Sequence, residues 1–343
     1  MSDSMRFGLF LNMGRNLGAT PNDVIRLTID QATMAEEHGF DELWLTEHHF
    51  IPFGINPSAI TAAGFLLGHT SRLRIGTAVT LSPLYHPIDL AERTALLDQL
   101  SGGRFQLGLG RGGYLKDYEV LEVPTDRWED DPQVCAEVII DAWTNGDVTK
   151  PHHTTGPSTL QPPPLTTPHP PLLLATRSPD TIAFAARSGF AIQHYFASPV
   201  QARVENERCY ADADPVADVD HLHALIVVVT DSPEQTRADL TDRLSRLFTG
   251  GDWPTVQNGP GHTDAEGKPL NRRDMASHVA EGAIVGNEDE VLAQLRTFHQ
   301  ATGARRFAFF VEAIADDAIV RSTISALARI RGPLEALTVG AGR

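Results

Sequence analysis

Short apolar runs recur along the chain, and between them lie longer stretches whose hydrophobic positions fall at helical spacing. Arg6–Asn12 (RFGLFLN) reads as the first strand. Pro21–His38 reads as the first helix, with Thr20 as N-cap, Pro21 at the first helical position and Gly39 as the stop. Glu42–Glu47 and Leu73–Val79 follow as strands, separated by a helix over Pro57–His69. A helix over Ile88–Leu100 leads to a strand at Phe105–Leu109, and another helix lies near Pro132–Trp143. Leu172–Thr176, Ala191–Tyr195, Leu222–Thr230 and Phe307–Glu312 complete the strands, each followed by room for a helix. Eight strand–helix units in alternation predict a parallel sheet with right-handed crossovers. A count of eight favours closure into a (β/α)8 TIM barrel, an α/β fold forming a single domain over residues 1–343. Two stretches break the rhythm. Residues 151–171 hold eight of the 23 prolines, so 146–171 reads as an extended excursion. Residues 249–282, rich in Gly, Asp, His and Asn, read as a lid loop or a disordered excursion.

Composition narrows the function. Lys+Arg 28 against Asp+Glu 44 gives a net charge of −16, which counts against nucleic acid and anionic membranes as partners. No run approaches the ~20 apolar residues of a membrane span, and the segment from Met5 to Met13 does not read as a signal peptide. Cys135 and Cys209 form neither a disulfide framework nor a zinc ribbon, so a cytoplasmic location is the default.

In such a barrel, chemistry gathers at the C-terminal ends of strands. The second strand ends in Glu47-His48-His49-Phe50, an acidic residue and two imidazoles, where Glu47 could fix a histidine tautomer for proton transfer. Two histidines satisfied by backbone carbonyls are the plain alternative. Gly108-Leu109-Gly110-Arg111-Gly112-Gly113 matches G-x-G-x-x-G, but no helix is evident in YLKDYEVLEVPTDRW after it, so it reads as a ligand-approaching loop rather than a dinucleotide turn. Ala175-Thr176-Arg177-Ser178-Pro179-Asp180-Thr181 offers a guanidinium, hydroxyls and a helix N-terminus suited to a phosphate; capping by Ser178 explains the same residues. His221-Leu222-His223 and His152-His153 read as surface histidines, and no metal site is expected.

Taken together, MRFGLFLN at Met5, GFDELWLTEHHF from Gly39, IGTAVTLSPLYHP from Ile75, LLDQLSGGRFQLGLGRGGYLKDY from Leu96, LLLATRSPDT from Leu172 and GAIVGNEDEVLAQL from Gly282 resemble the bacterial luciferase-like, flavin-dependent monooxygenases. The resemblance covers roughly residues 5–335 and is nearest the catalytic chain of luciferase. It implies an enzyme that uses reduced FMN (FMNH2) from a separate flavin reductase. O2 adds to the flavin to give a C4a-(hydro)peroxide, which oxidises a small or medium, largely apolar organic substrate. It also implies a homodimer. His48 falls on the catalytic histidine, with Glu47 and His49 as supports. Ala78–Val79 falls where the family has a non-prolyl cis peptide beside the isoalloxazine. Arg111, Arg177, Ser178 and Thr181 fall on phosphate-contacting positions, with Thr176 and Tyr114 beside them.

Two positions depart from luciferase. Gly110 stands where luciferase has its reactive cysteine, which argues against a long-chain aldehyde and light emission and suggests space for a bulkier substrate. Arg177 replaces an acidic residue, which strengthens anion binding. An F420-dependent hydride-transfer oxidoreductase of the same superfamily and a non-catalytic flavin-binding partner subunit are the competing readings.

Overall fold

The computed structural model describes residues 5–14, 19–51, 53–129, 132–150, 156–249 and 271–336. In chain order, β1 (Arg6–Leu11), α1 (Pro21–Glu37), β2 (Glu42–Leu45), α2 (Ala59–His69), β3 (Arg74–Thr77), β4 (Thr80–Leu81), α3 (Pro87–Ser101) and β5 (Phe105–Gly110) form the first half. Then come α4 (Leu115–Val120), α5 (Pro132–Asn145), β6 (Leu172–Leu174), α6 (Pro179–Ser188), β7 (Ala191–His194), α7 (Val200–Ala211) and β8 (Leu222–Val229). The chain continues through α8 (Pro233–Thr249), α9 (Arg272–Glu281), β9 (Ile284–Gly286), α10 (Glu288–Thr302), β10 (Arg306–Phe310) and α11 (Asp317–Glu335).

Parallel pairing runs β10-β1-β2-β3-β5-β6-β7-β8, and β8 pairs with β10 to close the ring. The eight strands expected from the sequence are the eight staves of this barrel. The first helix begins as predicted. Thr20 Oγ1 accepts from Asp23 N at 3.2 Å while Thr20 N donates to Asp23 Oδ2 at 2.9 Å, a reciprocal cap that typically contributes about 1 kcal/mol. Its buried Val24, Thr28, Gln31, Ala32 and Ala35 recur on one face, which packs inward.

Inside the barrel, Trp44 is fully buried, and Gly76 on the neighbouring strand leaves space for its ring. A Cβ on Gly76 would sit 2.3 Å from Trp44 Cζ3. The floor is polar. Glu42, with no exposed surface, accepts from Arg306 Nε at 2.9 Å and Nη2 at 2.8 Å, and from Trp44 Nε1 at 3.0 Å. Gln106 Nε2 (3.3 Å) and Arg6 Nη1 (3.4 Å) also donate to it. Burial alone would raise the Glu42 carboxyl, but the Arg306 charge and these donors hold it below the usual range.

Four features depart from the expected pattern. Two extra short strands, β4 and β9, extend the sheet beside β5 and β8; each is too short to show a period. The stretch after the glycine-rich loop, read as lacking a helix, contains α4, whose Asp117 and Tyr118 are buried. The 249–282 stretch contains α9, started by Asn271, whose Oδ1 accepts from Arg273 N at 3.1 Å and Asp274 N at 3.0 Å. The lid expected there falls on 250–270, which lie outside the described residues, as do His152 and His153. The proline-rich excursion is tied down by Asp98, whose carboxylate accepts from Leu165 N (2.8 Å), Thr166 N (2.7 Å) and Thr166 Oγ1 (2.8 Å). Asp98 of the LLDQ segment thus anchors the excursion to α3. Among the described residues, no helix is long and apolar enough to cross a membrane.

Candidate active site

Because the staves are parallel, their C-terminal ends open on one mouth, and the side chains singled out in the sequence converge there. The chain leaving β2 carries Thr46 to Phe50. Its fold is set by Asn56, whose backbone oxygen accepts from His48 N at 2.8 Å and whose Nδ2 donates to Thr46 O at 2.6 Å. His48 lies on the wall of an open cavity of about 430 Å³, lined also by His49, Phe50, Ile51, Gly54, Ile55 and Pro57. Its ring meets Phe53 edge-on at 5.3 Å and lies 6.4 Å from the ring of Tyr114. Nδ1 is 3.2 Å from Thr46 Oγ1, and among the described residues nothing hydrogen-bonds Nε2. Burial, reinforced by the nearby His49, lowers the His48 pKa to about 4, so the imidazole is neutral at ordinary pH.

The reading of Glu47 as the group that orients His48 is corrected. Its carboxylate is buried and bonded elsewhere, accepting from Ala59 N at 3.0 Å and Leu81 N at 3.2 Å. Tyr85, held to Glu47 and Ser58 by its hydroxyl, is pushed above the usual phenol range by burial and then by the Glu47 charge. Glu47 therefore joins the start of α2 to β4. His49 lies on the same side, its Nε2 3.7 Å from Glu47 Oε1. Burial lifts the nearby Asp117 to about 6, with the charge of His49 opposing and that of Glu47 adding. These residues form the backing of the mouth, and Thr46 takes the place expected of Glu47.

The peptide bond Ala78–Val79 is cis, where the resemblance placed it. It is followed by β4, which pairs Thr80 with Leu109 and Leu81 with Gly110. A Cβ on Gly110 would stand 2.5 Å from Val79 Cγ2, so the idea that Gly110 opens space for substrate is overturned. Val79 already fills that space. The buried Thr80 Oγ1 beside it has no hydrogen-bond partner among the described residues.

Arg111 follows β5 and Arg177 follows β6; both are exposed and close enough to repel. Burial of its inner part draws the Arg177 proton affinity down; the nearby Tyr195 hydroxyl opposes this and the Arg111 charge adds to it. Tyr195 in turn lies close enough to feel Tyr114 and Arg177. Ser178 occupies the N-cap of α6 but makes no capping bond with its side chain, so the simple capping explanation fails. Its backbone N–H donates to Thr176 Oγ1 at 3.1 Å. Thr181 is the exception. It is 1% exposed beneath the first turn, so its hydroxyl is off the open face.

Residues 5–305 match the luciferase-like monooxygenase family model. The chain belongs to that family. The family is one of luciferase-like monooxygenases, a class of oxidoreductases. It is 41% identical over 117 residues to the alkanal monooxygenase alpha chain of Photorhabdus luminescens, a match covering 34% of this chain and 32% of that one. The match thus spans about a third of that relative's length. It is 25% identical over 333 residues, 90% of this chain and 89% of the relative, to the oxygenase component of flavin-dependent trigonelline monooxygenase from Acinetobacter baylyi. Among solved structures, monooxygenase RslO1 from Streptomyces bottropensis shares the fold with a TM-score of 0.79 at 22% identity, covering 96% of this chain and 99% of that one. The oxygenating constituent of 3,6-diketocamphane monooxygenase from the CAM plasmid of Pseudomonas putida, in complex with FMN, gives 0.73 at 16%, covering 96% and 98%.

The reading of His221 and His223 as surface residues is also corrected. Both are buried between the barrel and α7, where they and His194 converge on Glu207. Glu207 Oε1 lies 2.7 Å from His194 Nε2 and 3.4 Å from His223 Nε2, and Oε2 lies 3.5 Å from His221 Nε2. His221 Nδ1 accepts from Ile192 N at 3.1 Å, and Arg203 Nη1 approaches His223 Nδ1 at 3.5 Å. These donors place the protons of both neutral rings on Nε2, directed at the carboxylate, which suits a hydrogen-bonded knot rather than metal ligation. Burial first, and the Arg203 charge second, lower His194 to about 3; burial lowers His221 to about 4 despite the opposing Glu207 charge. A histidine kept neutral in the fold leaves stability intact above its free value of 6.5. As pH falls below 6.5 the unfolded chain takes up the proton first, and stability drops through the window down to the folded value. The raised carboxyl of Glu207 opposes this, but one carboxyl faces three imidazoles. His221→Gln is expected to flatten the loss between pH 6.5 and 4 by about 2 kcal/mol, checked by denaturant unfolding across that range.

Proposed function

We propose that the protein is the oxygenase of a two-component system, using reduced FMN from a separate reductase and O2 to oxidise a small or medium, largely apolar organic molecule. The observation that supports this reading is His48 on a cavity wall, its Nε2 without a bonded partner among the described residues, beside Tyr114, which with Tyr195 connects it to Arg111 and Arg177. The mouth fits FMN. Arg111, Arg177, the uncommitted Ser178 hydroxyl and the N-terminus of α6 suit the phosphate, while the Ala78–Val79–Gly110 surface suits a flat ring. When bound, the reduced flavin supplies the electrons that activate O2. The chain's part is to hold the anion, exclude water and exchange a proton at His48 Nε2.

The local cations also reconcile an anionic cofactor with a net charge of −16, since field strength near the phosphate is set by the closest groups. Phe65 on α2 and Leu96 and Leu100 on α3 are exposed, supporting a homodimer through these helices. The test is anaerobic titration with reduced FMN followed by O2, alone and with a long-chain alkanal or a cyclic ketone as probe. Reduced FMN is expected to bind, Arg177→Ala to weaken it roughly tenfold or more, and a probe to yield oxygenated product. Tighter binding of F420 than of FMN, with hydride transfer and no oxygenated product, would overturn the reading.

A further inference from the structure

The hydrogen bonds behind His48 assign a role to Thr46, and the inference rests on the reading of His48 as the proton-exchanging group. Thr46 Oγ1 lies 3.3 Å from Asn12 O, 3.3 Å from Asn12 Oδ1 and 3.2 Å from His48 Nδ1. The hydroxyl has one proton to give and lone pairs to accept with. Both Asn12 oxygens can only accept, Asn12 is 2% exposed, and among the described residues neither oxygen has another donor. The amide cannot be turned end for end, because Nδ2 donates to Phe53 O at 2.7 Å. Its backbone is fixed as well, with Asn12 N donating to Glu312 Oε1 at 2.7 Å.

If Thr46 donated to His48, two buried carbonyl oxygens would be left without a donor, the more expensive arrangement. Thr46 therefore donates to Asn12 and turns a lone pair towards the ring. Nδ1 must then carry the imidazole proton. Gly54 also lies close to this atom, and a Cβ there would stand 2.5 Å from Nδ1. We propose that Thr46, itself oriented by Asn12, is a positioning residue that fixes His48 in the Nδ1–H tautomer and presents Nε2 to the cavity as a proton acceptor. A free neutral imidazole in water favours the opposite tautomer, so the form found reports directly on this contact.

The experiment is NMR of the full chain labelled with 15N-histidine at neutral pH, with His48→Gln to assign the signals. Wild type is expected to show the proton on Nδ1 and a bare Nε2. Thr46→Ser should keep that pattern, whereas Thr46→Val and Thr46→Ala should shift the proton to Nε2 and lower turnover of an accepted probe roughly tenfold. A wild-type proton on Nε2, or an unchanged Nδ1–H signal in both Thr46→Val and Thr46→Ala, would overturn the proposal. The spectrum reads the tautomer whether or not His48 takes part in turnover. Failure of the functional reading would show separately, as full turnover in a His48→Ala enzyme.

Discussion

Replacement of His48 by alanine is expected to lower turnover of an accepted probe by roughly 10²–10⁴-fold, the usual contribution of a positioned acid or base. Affinity for reduced FMN should change by no more than about twofold, because the residues proposed to hold the phosphate follow other strands. The side chain sits on the cavity wall with Nε2 unbonded among the described residues, so its removal takes away the proposed proton-exchanging group and leaves the Glu47 brace and the Asn56 contacts in place. The pH profile supplies a second check. With the His48 pKa at about 4, the imidazole is already neutral from pH 5 to 8, so turnover should be flat there on its account. Stopped-flow reduction and reoxidation combined with product analysis measures both quantities. Turnover that rises through pH 6 to 7 in wild type and loses that rise in His48→Ala would show a charged resting imidazole and overturn the neutral resting form, whereas full turnover in His48→Ala would sink the assignment.

The largest effect on stability belongs to the other end of the barrel. Glu42→Ala should cost about 3–5 kcal/mol, because it strands the buried Arg306 guanidinium with no carboxylate beneath it. Arg306 lies over the Trp44 ring at 4.9 Å and also donates to Gln106, but neither partner neutralises its charge. The double change Glu42→Leu with Arg306→Leu should recover most of the loss, since a well-filled apolar floor needs no counter-charge. Urea unfolding of the three proteins decides the matter. A single variant within about 1 kcal/mol of wild type would mean that water reaches the floor.

The sequence was legible wherever the signal was local. The eight barrel strands were legible because each alternates or saturates its apolar positions within a few residues, and such a period is a local property. The Thr20 cap was legible for the same reason, its partner Asp23 lying three residues away. α4 was missed because six residues give fewer than two turns, and β9 because three residues show no period. The clustering of His48, Tyr114, Arg111 and Arg177 followed from their places at the ends of different strands once a barrel was expected. Their finer roles did not follow. Gly110 looked like vacant space until Val79 was seen to fill it. His221 and His223 looked exposed until α7 was seen to cover them and bring Glu207 to their rings.

By itself, then, the sequence determined the α/β barrel, its mouth as the place of chemistry, and a family resemblance that the match over residues 5–305 established. Tertiary structure alone decided which polar atom meets which. Glu42 and Arg306 are 264 residues apart, Asn12 and Glu312 are 300, and Thr46 reaches Asn12 across 34. Local periodicity sets which face of an element is buried. The pairing of buried donors and acceptors depends on how strands from distant parts of the chain are placed side by side, and closure of the barrel is what brings them together.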